Sequence, residues 1–240
     1  MNRQEFPSLR QGLVGAWCPS LGASGLSLID RSGRGSHGTL VAPSSTSWSA
    51  SGSGVSLLFD GATQYATLPF SATFGSSATL SMWVRRTRQN ETGALDSGFF
   101  FANLNDGGQQ SHYQYGSTIY MRLLRTNRVD GLFTLVDLTR WHNLCITTNG
   151  TNYTIYQAGQ ILSQTAAEST VKLSSPLVAG QSTFGIGASS TTGFFAGALD
   201  DIRLYNRALT RAEVLLLASR RGIGLTPLPD RAAGLPRRFS

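Results

Sequence analysis

The chain has 240 residues, of which 40 % are apolar, only 14 % are charged and 27 are glycine. So few charges, with Ser and Thr abundant beside Gly, exclude coiled coils and helix bundles and point to a body rich in turns and strands. Twenty basic against 13 acidic residues give a net charge of +7. Five Arg and one Asp in 219–240 place a net +4 there, and the remainder is too scattered for a nucleic-acid footprint.

A β-sandwich of this length folds as one domain. No run of about 18 apolar residues exists, so no membrane-spanning helix is expected. The opening MNRQEFPSLRQGLVGAW has no apolar stretch after a basic start. No signal peptide is therefore expected, and the chain should stay in the cytoplasm where it is made unless another route or lysis releases it. Cys18 and Cys145 lie far apart and no C-x-x-C occurs, which argues against structural zinc. They are either two buried small side chains or a disulfide between an early and a later strand.

In chain order, residues 1–11 form a short polar arm with Pro7, 12–222 the domain, and 223–240 a Pro/Gly/Arg tail. Pro227, Pro229 and Pro236 forbid a helix in that tail and favour extended backbone. Within the domain, β-type runs are expected at 13–17, 55–60, 64–68, 78–84, 98–104, 118–125, 132–136, 141–148, 152–158, 183–188 and 197–205. In 78–84, Leu80, Met82 and Val84 fall on one face and Thr79, Ser81 and Trp83 on the other. Asn149-Gly150 between two runs is a strong hairpin signal. In 197–205, strict alternation puts Leu199, Asp201, Arg203 and Tyr205 on one face and Asp200, Ile202 and Leu204 on the other, as an outer strand would. Thr210-Arg211-Ala212-Glu213 reads as a capping box opening one short helix, with Gly222 as its stop. Strands at this spacing mean an all-β, two-sheet antiparallel jelly-roll sandwich with one short C-terminal helix and extended terminal arms.

Six stretches, in order, resemble the laminin-G-like, concanavalin A-like jelly-roll family. They are Gly12 to Trp17; Ile29-Asp30-Arg31-Ser32-Gly33 through His37-Gly38-Thr39-Leu40; Phe59-Asp60-Gly61 with Tyr65; Leu80-Ser81-Met82-Trp83-Val84; Trp141-His142; and Gly197 to Thr210, read as GALDDIRLYNRALT. The resemblance spans 12–222 and leaves both arms outside. It implies carbohydrate binding as the commonest use. It also implies a structural Ca²⁺ whose ligands would fall at Asp30 and Asp201, with Asp200 beside them; Ca²⁺ takes six to eight oxygens, and Gly-rich loops can add carbonyls. The competing reading makes Asp30 the cap of its own turn and pairs Asp201 with an arginine.

Carbohydrate binding needs exposed aromatics beside polar groups, and the candidates are Tyr113, Tyr115, Tyr120, Phe194 and Phe195. Core packing or a subunit contact is the alternative use of each. A glycoside hydrolase needs two facing carboxylates. The four glutamates, Glu5, Glu91, Glu168 and Glu213, are unpaired in sequence, and adjacent Asp200 and Asp201 should point to opposite strand faces. With no G-x-S-x-G elbow and no phosphate-binding loop, no enzyme is expected. His37, His112 and His142 read as structural.

The expected function is therefore a non-enzymatic structural or adhesive jelly roll of a larger assembly, most simply a virion exterior component such as a phage head decoration or tail protein. It would dock on neighbouring subunits, including copies of itself, through its arms. In the tail, Leu225, Leu228, Leu235 and Phe239 would anchor apolar pockets and Arg237 and Arg238 would pair with acids. Surface glycans are the second expected partner, and a free carbohydrate-binding module is the alternative.

Overall fold

The structure is a computed structural model. It describes residues 6–44, 47–51, 54–69, 72–73, 77–87, 102–103, 112–115, 118–121, 133–134, 139–150, 152–166, 172–173, 177–179, 181–186 and 189–225. Their architecture is a two-sheet antiparallel jelly-roll sandwich. In the large sheet the spatial order is Gln160–Ala166, Asn152–Gln157, His142–Asn149, Ser77–Arg86, Ala196–Tyr205, Gly54–Asp60 and Trp48–Ser51. The opening strand, Leu13–Trp17, joins this sheet alongside the C-terminal half of Ala196–Tyr205. The small sheet runs Ser27–Leu28, Gly38–Val41, Tyr65–Leu68, Leu177–Ala179 and Ala102–Asn103.

The period-two reading of the Ser77–Arg86 strand holds. Leu80, Met82 and Val84 face the small sheet and join Leu28, Leu40, Ala66 and Leu68 in the inter-sheet core. Thr79, Ser81 and Trp83 take the opposite face, where Trp83 Nε1 donates to Leu217 O of the helix at 3.1 Å. The Asn149-Gly150 turn also forms: Gly150 has φ 88°, and Asn149 Oδ1 accepts the Asn152 amide at 2.9 Å. Only a residue without a Cβ takes that backbone cheaply.

A second core covers the outer face of the large sheet. Tyr205, Cys145 and Tyr156 from the sheet meet Val214 and Leu217 of the helix Arg211–Ser219. The capping box is complete, with the Glu213 amide on Thr210 Oγ1 and the Thr210 amide on Glu213 Oε2. Arg207 ties this helix start to the N-terminal arm, donating to Glu213 at 2.6 Å and to the carbonyls of Ser8 and Gln11. Gly222 does not stop the helix. The last helical residue is Ser219, Arg220 is already extended, and Gly222 serves a later turn at φ 71°.

The arms are less separate than their composition suggests. Pro7–Leu9 forms a 3-10 turn that buries Leu9, and Phe6 packs on the second core. Ile223 is buried there and Leu225 packs against it, so Leu225 is held by its own domain. Residues 6–11 and 223–225 thus belong to the folded body. Leu228, Leu235, Arg237, Arg238 and Phe239 lie outside the described residues.

Strict alternation fails in the closing strand, Ala196–Tyr205. Between Asp200 and Arg203 its pairing with Ser77–Arg86 gains one extra residue, and Asp201 sits at φ 47°. This β-bulge resets the faces. Leu199 joins Ile202 and Leu204 in the inter-sheet core, while Tyr205 belongs to the outer one. Nor is this an outer strand: it pairs on both edges and is buried along almost its whole length.

Candidate functional site

The bulge falls where the closing strand changes partner. Its Leu199 pairs with Leu57 of Gly54–Asp60, and from Ile202 onward it pairs with Leu13–Trp17. At the junction, Asp200 and Asp201 are 0 % and 2 % exposed. Asp200 Oδ1 accepts the amides of Ser20 and Asp201, and its Oδ2 accepts Arg221 Nη1 at 3.0 Å. Asp201 takes a two-pronged grip from Arg203, at 2.7 and 2.9 Å, and its Oδ2 also accepts the Gly222 amide at 2.8 Å. Arg203 then donates to Ile223 O at 2.7 Å. Both carboxylates therefore serve the outer side, contrary to the opposite faces that simple alternation gives.

Burial, reinforced by the neighbouring Asp201 charge, pushes the Asp200 carboxyl up to about 6. That value suits a general acid, but general acids must reach substrate. Here every carboxylate oxygen already holds a donor of the chain, beneath closed protein surface. Burial also raises the nearby Cys18 thiol, with the charges of Asp201 and Asp200 adding to it. Cys18 and Cys145 are free and buried.

Asp30 is the hub of the first loop. Its Oδ1 accepts the amides of Ala16 and Ser32, and its Oδ2 accepts the Ser32 hydroxyl and the Ser36 amide. His37 Nδ1 accepts the Asp30 amide at 3.1 Å, a structural role. The calcium expectation requires carboxylate oxygens turned toward a shared cation, and the residues present do not fit it. Asp30 caps its loop, Asp201 is matched by a guanidinium, and Asp200 is bonded to Arg221. Among the described residues no three His, Cys, Asp or Glu side chains gather to hold a metal ion.

Of the aromatic candidates, Phe195 is corrected. It is 0 % exposed and packs with Phe59 in the inter-sheet core, ring centroids 6.3 Å apart. It lies between Ser189–Phe194 and the closing strand, and its ring fills the inter-sheet core. The side chains of Phe194, Tyr113, Tyr115 and Tyr120 lie outside the described residues. The backbone does bring the tyrosines together: His112–Tyr115 and Thr118–Met121 form a hairpin in which Tyr113 pairs with Tyr120 and Tyr115 with Thr118. By register these three positions share one face.

The sequence reading missed a cluster at Trp141. This half-buried indole precedes the His142–Asn149 strand, whose register sets it beside Arg85. The Arg85 guanidinium carbon lies 5.4 Å from the ring centroid and that of Arg221 4.4 Å, both within cation–π range. The available signal was the pairing of the Trp83-containing strand with the Trp141-His142 strand, which sets 141 against 85.

Comparison with solved structures places this fold among binding domains and enzymes. Domain 4 of AbnA, a GH43 extracellular arabinanase from Geobacillus stearothermophilus solved with arabinotriose, is 16 % identical over 86 % of this chain and 98 % of its own, with a TM-score of 0.63. The binding domain of Paraclostridial Mosquitocidal Protein 1 is 18 % identical over 88 % of this chain, with a TM-score of 0.64. A botulinum neurotoxin type C structure, described as entering cells through two ganglioside molecules, is 10 % identical with a TM-score of 0.67. The chain spans about half of each of those two toxin chains, 52 % in both cases. No curated protein matches the chain. The Laminin_G_3 family model, described as concanavalin A-like lectin/glucanases superfamily, matches residues 60–215, more than half of the sequence, and the chain belongs to that family.

Proposed function

We propose that this domain is a non-catalytic saccharide-binding module. The observation that carries the reading is the fate of the acidic residues. The buried pair that most resembles a catalytic dyad, Asp200 and Asp201, is spent on holding Ser20 and the segment after the helix to the sheet, and Glu213 is spent on the helix cap. The cores consume Phe195 but leave Trp141 half-exposed, and the register gathers three tyrosine positions on one hairpin. Likeness to a domain solved with arabinotriose supports a saccharide as the ligand class. A glycan array probed with the full chain tests this, followed by incubation of each bound glycan and assay for new reducing ends. Binding without cleavage is expected. Release of reducing ends would overturn the non-catalytic reading, and binding to no glycan would overturn the saccharide.

A second reading is favoured by the C-terminus. Arg203 and Asp201 pin residues 222–223 to the sheet, so the Pro- and Arg-rich stretch 226–240 leaves from a fixed point. A sequence rich in Pro and Arg after a pinned segment suits docking onto neighbouring subunits, as in a particle or virion surface. Gradient sedimentation of the native source tests it. Co-sedimentation with large particles, lost on removing 226–240, is expected; recovery as a small species would set this reading aside.

A further inference from the structure

We propose that Arg85 and Trp141 form a recognition site for a carboxylate-bearing saccharide, a choice of ligand that rests on the saccharide-binding reading above. Three observations converge on this place. The first is the geometry of cover. The helix Arg211–Ser219 has nine residues, about 14 Å of length, whereas the Ser77–Arg86 strand beneath it has ten, about 33 Å. The helix end sits over Trp83, where Leu217 O accepts the indole N–H. Arg85 lies two residues further along the same face, beyond that contact.

The second is the state of Arg85. Its guanidinium carries five N–H donors. Among the described residues it makes no hydrogen bond and no ion pair; its one recorded interaction is with the Trp141 ring at 5.4 Å. Arg221, on the same ring at 4.4 Å, is by contrast committed to Asp200. The cluster therefore holds one matched guanidinium and one unmatched, both oriented by an indole. A planar fork of donors fixed in place is the group best suited to a bidentate carboxylate.

The third is composition. Nineteen of the 20 basic residues are arginine, and the net charge is +7. The net charge favours approach of anions to the chain as a whole, and at this place an aromatic edge beside an arginine offers apolar contact to the sugar ring and charge to its acid group. A neutral sugar would leave the Arg85 donors to water.

The test is calorimetric titration of the full chain with two acid and neutral pairs and one sulfate control. The pairs are sialyllactose against lactose and trigalacturonate against its methyl ester; the control is a heparin tetrasaccharide against its desulfated form, which keeps its carboxylates. Expected is binding to a carboxylate sugar at least tenfold tighter than to its neutral partner. That preference should be lost in Arg85→Gln, partly kept in Arg85→Lys, and weakened by salt. Equal binding by Arg85→Gln and the native chain, at matched melting temperature, overturns the site. If neutral sugars bind as well as acidic ones, the acid preference fails while the saccharide reading stands. If only the sulfated tetrasaccharide binds, the carboxylate assignment is overturned in favour of sulfate. If no sugar of either kind binds, both readings fall.

Discussion

Asp200 is ionised at neutral pH only against its surroundings. Burial and the Asp201 charge raise its carboxyl from 3.8 to about 6, while Ser20 and Arg221 pull the other way; Arg31, Cys18 and Arg203 stand nearby. A carboxyl with a raised folded-state value binds its proton more tightly in the folded chain, so this residue adds stability as pH falls from 7 toward 4. Asp60 and Glu213 run in the opposite sense. Against burial that would raise it, Asp60 is lowered to about 2 by three backbone amides and the Thr63 hydroxyl, and Glu213 is lowered to about 2 first by Arg207. Their stabilisation is present above about pH 4 and is lost as pH falls through 2. The native chain should therefore melt about 2–4 °C higher at pH 5 than at pH 7, from ~1 kcal/mol of linkage, and Asp200→Asn should abolish that rise. Calorimetry at the two pH values checks it; an unchanged rise in the variant would show that other groups cause it. Asp201→Ala is a different case. It leaves Arg203, 1 % exposed, without its carboxylate, and should cost about 3–5 kcal/mol in urea unfolding.

The closing strand shows how one element joins several others. Its bulge lets two strands, Gly54–Asp60 and Leu13–Trp17, share one of its edges, and it turns two adjacent carboxylates to the same side. Those carboxylates receive the 3-10 turn Pro19–Leu21 through Ser20, and the segment after the helix through Arg221 and Gly222. The C-terminal boundary of the folded unit follows from this. Chains ending at Leu225 should melt with the full chain. Chains ending at Gly222 lose buried Ile223 and the Leu225 packing, and should be weaker by about 2–4 kcal/mol. Thermal melts of the two truncations decide between this boundary and one placed at residue 222.

For the whole molecule, stability is expected to be independent of divalent cations, because Asp30, Asp200 and Asp201 are satisfied by amides, a hydroxyl and guanidinium groups. EDTA should leave the melting temperature unchanged. A drop restored by Ca²⁺ would place a cation elsewhere, outside these three carboxylates. The three-layer build, small sheet, large sheet, then helix with residues 6–11 and 223–225, also explains why one of the aromatic candidates needed correction. Aromatic candidates chosen for being aromatic include Phe195, which the core consumes, while Trp141 at the rim was passed over as a strand start.

Local pattern determined much of this protein on its own. Apolar alternation in the Ser77–Arg86 strand, the Asn149-Gly150 turn and the Thr210 to Glu213 capping box each depend on neighbours within a few residues, and each formed as read. Short strands such as Ser27–Leu28 and Leu177–Ala179 escaped because their pairing partners, not their own composition, make them strands. The bulge at Asp200 and Asp201 was illegible for the same reason. An extra residue is defined only against the partner strand that it fails to match, and a single left-handed backbone angle there reverses every face before it. Whether an acidic pair faces a ligand, a cation or an arginine was settled by which segments pack over it, and those arrive from residues 20, 203 and 221, brought together only by the tertiary fold.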